Sequence, residues 1–120
     1  MQKVQVIGEI NGLGATLLPI MEQSVEEPER WKSLKKIKGS FVATERDSGV
    51  SITIIYDKGD IRLQSGAISN PSASLIADFE TVAAYSSGEL NPIIGVLTGK
   101  ISVRGNIFKL LKMVKIVRND

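Results

Sequence analysis

The 120-residue chain reads as one α/β (α+β) domain containing five strands. Three features point there. Residues 40–65 alternate apolar and polar side chains in three runs broken by glycine-bearing turns, the mark of an antiparallel meander. Helical spacing precedes and follows the meander, with proline, aspartate or asparagine at the helix starts. A short alternating run, "KISVRG", lies between two of the later helices. Hydrophobic residues form 42% of the chain, enough to bury a single core.

The opening stretch "VQVIGEINGLG", residues 4–14, alternates and then reaches Gly8, Gly12 and Gly14. That spacing is found in short-chain dehydrogenases, where glycines let the backbone approach a pyrophosphate at a helix N-terminus. A dinucleotide fold also needs a second strand ending in an acid about 20 residues further on. This chain has "RWKSLKKIKG" there, basic and helical. Neither Tyr56 nor Tyr85 is followed four residues later by the lysine that those enzymes need, and Pro19 falls inside the helix that should follow the glycines. The glycines are therefore read as turns around a mobile N-terminal segment. Neither NAD(H) nor NADP(H) is expected to bind.

Residues 11–37 carry helical spacing in two pieces. "ATLLPIMEQSVEE" holds Pro19 near a start or a kink; "EEPERWKSLKKI" has Pro28 in its first turn, lysines toward its end and Gly39 as its stop. The meander follows. Its turns are Asp47-Ser48-Gly49 and Asp57-Lys58-Gly59-Asp60, and Ile52, Ile54, Ile61 and Leu63 share its buried face. "ISNPS" turns the chain into a fourth strand, "ASLIAD". "DFETVAAYSSGEL" is helical again, capped by Asp78 and stopped by Gly88. Asn91-Pro92 starts a short helix that Gly99 ends. "KISVRG" is the fifth strand, with Ile101 and Val103 on one side, and "NIFKLLKMVKIV" closes the chain as an amphipathic helix.

Several chemistries are excluded or weakened by composition. The chain has no histidine and no cysteine, which removes the usual general base near neutral pH, thiol nucleophiles and the commonest zinc ligands. No metal site, cofactor or catalytic residue is expected. A cysteine-free chain suits a cytoplasmic setting. The net charge of +2 argues for neither a nucleic-acid binder nor an acidic tail, and no nucleic acid is expected as a partner. "GVLTGKIS" imitates a phosphate-binding loop, but Gly95 and Gly99 are too close together and Ile101 follows Lys100. Asp78 and Glu80 could form an acid pair; a cap and an exposed helix residue is the simpler reading.

Residues 86–116, "SSGELNPIIGVLTGKISVRGNIFKLLKMVKI", resemble the sterol carrier protein family of the non-specific lipid-transfer type. The matching positions are Gly88, Pro92, Gly99, Lys100 and Gly105, which mark a step into a short helix, a Gly-Lys entry to a strand, and a turn into a closing helix. Asn106 stands where the family most often has aspartate, and either residue caps a helix. The upstream strands extend the resemblance over residues 29–117. The chain divides accordingly into an N-terminal segment, residues 1–28, of no assigned structure, and a sterol-carrier-like lipid-binding domain, residues 29–120. The resemblance implies a five-stranded, mostly antiparallel sheet covered by helices, with an apolar tunnel that takes a fatty acid, a fatty acyl-CoA or a sterol-like molecule. It implies a non-enzymatic carrier.

On that resemblance Ile93, Val96, Leu97, Ile107, Phe108, Leu111 and Val114 are the expected tunnel lining. Without it they read as core. Lys109, Lys112 and Lys115 make a basic ridge on the last helix. It is either a solvated face or a contact for an anionic membrane surface or a CoA phosphate. The rival function is a non-catalytic accessory or protein-interaction domain whose tunnel has closed. A homodimer is left open.

Overall fold

The computed structural model describes residues 3–119. Its strands are β1 (Val4–Ile7), β2 (Lys38–Glu45), β3 (Ser51–Asp57), β4 (Asp60–Ser65), β5 (Ala73–Ala77) and β6 (Ser102–Gly105). They form one sheet in the order β1-β4-β3-β2-β5-β6. The helices are α1 (Gly12–Glu26), α2 (Pro28–Leu34), α3 (Phe79–Ser86), α4 (Pro92–Leu97) and α5 (Ile107–Met113), and a 3₁₀ turn over Val114–Val117 follows α5.

The central meander β2-β3-β4 is antiparallel, with Phe41 opposite Ile54 and Ile54 opposite Leu63. This register puts Ile52, Ile54, Ile61 and Leu63 on one face, and all four are fully buried. Against that face pack Leu17, Met21 and Val25 of α1, Leu34 of α2, and Leu110 and Met113 of α5. Each such side chain taken out of water contributes about 1.5–3 kcal/mol. Residues 66–72 cross the opposite face, where the Thr53 hydroxyl donates to the Gly66 carbonyl at 2.7 Å.

Two features differ from the sequence reading. The sheet has a sixth strand: Val4–Ile7 pairs in parallel with β4, Val4 opposite Ile61, where a mobile segment was expected. Parallel pairing of segments so far apart needs no hairpin, so no local turn announces it. The glycine run then starts α1 against the sheet. Asn11 caps α1 by accepting from the Gly14 amide at 2.9 Å, and its side-chain amide donates to the Ser51 carbonyl at 2.8 Å. Secondly, α2 ends at Leu34 rather than at Gly39, which lies within β2 opposite Tyr56. The Lys58 amide donates to the Ile37 carbonyl at 3.0 Å, drawing the chain into the sheet before the lysines can extend the helix.

Pro28 explains the break between α1 and α2. Glu27 adopts the extended conformation that a residue before proline favours, and its carboxylate accepts from the Arg30 amide at 2.7 Å. The C-terminus is anchored by two buried phenols. Tyr56 donates to the Met113 carbonyl at 2.6 Å, and Tyr85 to the Val114 carbonyl at 2.9 Å. Together they fix the point where α5 tightens into the 3₁₀ turn. Burial pushes the Tyr56 phenol well above its ordinary range, so it stays a donor at any ordinary pH. Tyr56→Phe is expected to cost about 1–2 kcal/mol by leaving a buried carbonyl one partner short, measurable by urea denaturation.

Candidate functional site

A cavity lies between the sheet and the helices, with a volume of about 60 Å³. Its sheet wall comes from β2, β5 and β6, with Phe41, Leu75 and Val103; its helical wall includes Leu17 of α1 and Tyr85 of α3. Apart from Thr44, Glu45, Thr81 and the phenol of Tyr85, the wall is hydrocarbon. The Glu45 carboxylate accepts from the Ser48 amide at 2.8 Å and the Asp47 amide at 3.2 Å. Those hydrogen bonds, Ser48's first, hold its carboxyl below the usual range. Among the described residues no group of potential metal ligands is found. A lining so largely apolar is suited to burying apolar surface.

Of the expected lining residues, Val96, Ile107, Leu111 and Val114 do border this cavity. Ile93, Leu97 and Phe108 do not; they lie on the surface, Leu97 80% and Phe108 78% exposed. The rotation of each helix explains the division. Ile107 and Leu111 of α5, and Val114 just after it, recur at helical spacing on one side, and Phe108 falls about 100° away from Ile107. In α4, Pro92 and Val96 share the inward side, so Ile93 and Leu97 turn outward with Ile94. Gly95 sets that orientation. The Ile101 side chain occupies the space a Cβ there would take, 2.7 Å away, and the Ile101 amide donates to the Gly95 carbonyl at 3.0 Å.

The sequence reading missed the contributions of α1, β2, β5, α3 and β6. Their residues, Leu17 and Phe41 among them, show only as buried positions of amphipathic elements. Nothing local distinguishes a side chain that borders a gap from one that fills it.

Helix caps hold the helical wall in place. Asp78 accepts from the Thr81 amide at 2.8 Å, Asn91 from the Ile93 amide at 2.9 Å, and Asn106 from the Lys109 amide at 3.1 Å. Glu80 lies exposed in the first turn of α3. The bonds from Thr81, aided by Arg46 and Lys100, lower the Asp78 carboxyl below its ordinary value. A carboxylate depressed on folding contributes stability that is full above the unfolded value and lost as pH falls through the folded one. Asp78→Asn keeps a capping side chain but removes that titration. It should flatten the fall in melting temperature between about pH 5 and pH 3, followed by circular dichroism.

The chain's likeness to known proteins agrees with this architecture. The SCP-2 sterol transfer family model matches residues 20–118. The chain belongs to this family. No curated protein sequence matches it. Among solved structures it is similar to "Sterol Carrier Protein 2 from Yarrowia lipolytica (apo form)", at 20% identity and a TM-score of 0.69, covering 92% of this chain and 94% of that one. It is similar also to the sterol carrier protein domain 2 of Helicoverpa armigera, at 19% identity and a TM-score of 0.69, covering 92% of each. A third likeness is to palmitated SCP2L2 from Aedes aegypti, at 15% identity and a TM-score of 0.59, covering 90% of this chain and 94% of that one. Membership implies lipid binding or transfer. Among the described residues no helix is long and apolar enough to cross a membrane.

The basic ridge lies on the opposite side of α5 from the cavity. Lys109, Lys112 and Lys115 border a surface groove of about 670 Å³ together with Lys36 and Lys38, around Phe108.

Proposed function

We propose that this SCP-2 domain binds one apolar chain, of a fatty acid, fatty acyl-CoA or sterol-like molecule, between its sheet and its helices, and carries or sequesters it without catalysis of its own. The observation that supports this most is the hydrocarbon cavity bordered by Val96, Ile107, Leu111 and Val114 in a fold shared with a palmitated relative. The driving force is burial: each CH₂ moved from water into such a site contributes about 0.8 kcal/mol. Lys109, Lys112 and Lys115 would give the carrier a cationic side, either for a CoA phosphate of its cargo or for an anionic membrane. A reducing, cytoplasmic setting suits a chain without cysteine.

A second reading has its own support. The cavity, at about 60 Å³, is well below the roughly 300 Å³ at which small-molecule pockets begin. Meanwhile α4 exposes Ile93, Ile94 and Leu97 to solvent. Both fit an accessory domain with a closed tunnel and a protein partner. Native mass spectrometry of freshly purified protein, with organic extraction of the same sample, separates the two. A lipid adduct at one-to-one stoichiometry supports the carrier; bare protein with an empty extract supports the closed domain.

A further inference from the structure

The five lysines around Phe108 are arranged unlike an ordinary solvated surface. The chain has 15 cationic and 13 acidic side chains, close to balance. Yet Lys36, Lys38, Lys109, Lys112 and Lys115 border one groove with no carboxylate among its lining residues. Among the described residues the ion pairs involve Lys3, Lys32 and Arg62, and none of these five. Asp57 stands opposite Lys38 in the β2/β3 register without pairing to it.

The groove also has a built element. Lys109 is half-buried, and its Cε and Nζ lie where a Cβ on Gly39 would be, 2.9 Å away. The absent side chain at Gly39 lets Lys109 lie down across the start of β2, bringing α5 to the lysines that follow α2. Like charges brought together in this way repel one another unless an anion joins them. Phe108, 78% exposed, rises among them.

We infer that this groove docks the domain on an anionic phospholipid surface, with the five lysines meeting headgroup phosphates and Phe108 entering the boundary between headgroups and acyl chains. Lysines alone would suit any polyanion. Phe108 decides for the membrane: a soluble phosphate gives an aromatic ring nothing apolar to enter, whereas a bilayer interface does. The inference rests on the carrier reading for its purpose, delivery at a membrane, but its measurement is independent of cargo.

The test is co-sedimentation with vesicles of pure phosphatidylcholine, and of phosphatidylcholine with roughly one-third phosphatidylserine, at an ionic strength of about 0.1 M. Wild-type protein should bind only the phosphatidylserine vesicles. Each lysine neutralised should cost about fivefold in partitioning, corresponding to about 1 kcal/mol. The triple variant Lys36→Gln, Lys112→Gln, Lys115→Gln should therefore lose about a hundredfold. Phe108→Ala should lose about tenfold. Both variants should keep the wild-type melting temperature and the stabilisation by palmitate, which separates a docking failure from a failure of the cargo reading. Absent or charge-independent vesicle binding overturns the inference, as does binding that ignores either variant. So does calorimetric binding of inorganic tripolyphosphate through these lysines with no role for Phe108, which would make the groove a site for a soluble polyphosphate.

Discussion

Palmitate at about 100-fold excess over its dissociation constant should stabilise the protein by about 2.7 kcal/mol. With an unfolding entropy of about 2.1 cal/mol/K per residue, that gain raises the melting temperature by about 11 °C. The cavity at rest is too small for an acyl chain. At about 60 Å³, and about 24 cal/mol per Å³, such a gap costs only about 1.4 kcal/mol, which a folded domain tolerates. A lipid needs several times that volume, so a wall must move when it enters. The sheet, α1 and α5 share one continuous core and are poor candidates. By contrast α4 is six residues long, turns its outer aliphatic side chains to solvent, and rests on Ile101 through Gly95. Lifting α4 exposes little that is now buried, and Pro92 and Val96 would move with it.

Leu111→Trp is the test of location, because it puts bulk into the cavity from a half-buried wall position. Overpacking itself costs about 1–3 kcal/mol, so the readout is the shift that palmitate causes in the variant's own melt. That shift should nearly vanish. Leu97→Trp, at a position 80% exposed and outside the cavity, should keep the full shift. If palmitate, palmitoyl-CoA and cholesterol all leave the wild-type melt unmoved, and purified protein carries no lipid, the closed accessory domain replaces the carrier.

How far the sequence reveals such a site depends on the range of the interaction concerned. The hairpins of β2, β3 and β4, and the caps at Asp78, Asn91 and Asn106, are legible because their chemistry is local. A turn glycine or a capping oxygen acts within a few residues. The strand Val4–Ile7 is not legible as part of the sheet, since its partner lies far along the chain and the pairing is parallel. Helix rotation in α4 is obscure for a different reason. Ile93, Ile94, Val96 and Leu97 are all aliphatic, so the segment has no polar side to mark the solvent. Tertiary contact settles it, through the one residue without a side chain. Phe108 misleads in the same way: an aromatic residue on an apolar helix reads as core, and here it points outward among lysines.

The most damaging small substitution expected in this fold is Gly105→Ala, at the turn between β6 and α5. Gly105 has a φ of +86°, where an L side chain costs about 1–2 kcal/mol. A Cβ there would also stand 2.6 Å from the Ser72 carbonyl oxygen and 2.9 Å from the Ala73 Cα. Both are backbone atoms, so no side chain can swing aside. Ser72 cannot readily retreat, because its carbonyl accepts from the Asn106 amide at 3.0 Å and its own amide donates to Ser40 at 3.0 Å. Adding about 1–3 kcal/mol for the overlap gives a loss of about 3 kcal/mol, or about 12 °C in melting temperature. Gly99→Ala provides the comparison: its φ of +80° is nearly the same, but nothing lies within 4 Å of the added methyl. Strain alone predicts a loss of about 4–8 °C there. Differential scanning calorimetry on the two variants separates the terms, and equal losses would mean that β5 and β6 part without cost. Because Val103 precedes this turn and Ile107 follows it, Gly105→Ala should also shrink the palmitate-induced shift, whereas Gly99→Ala should spare it.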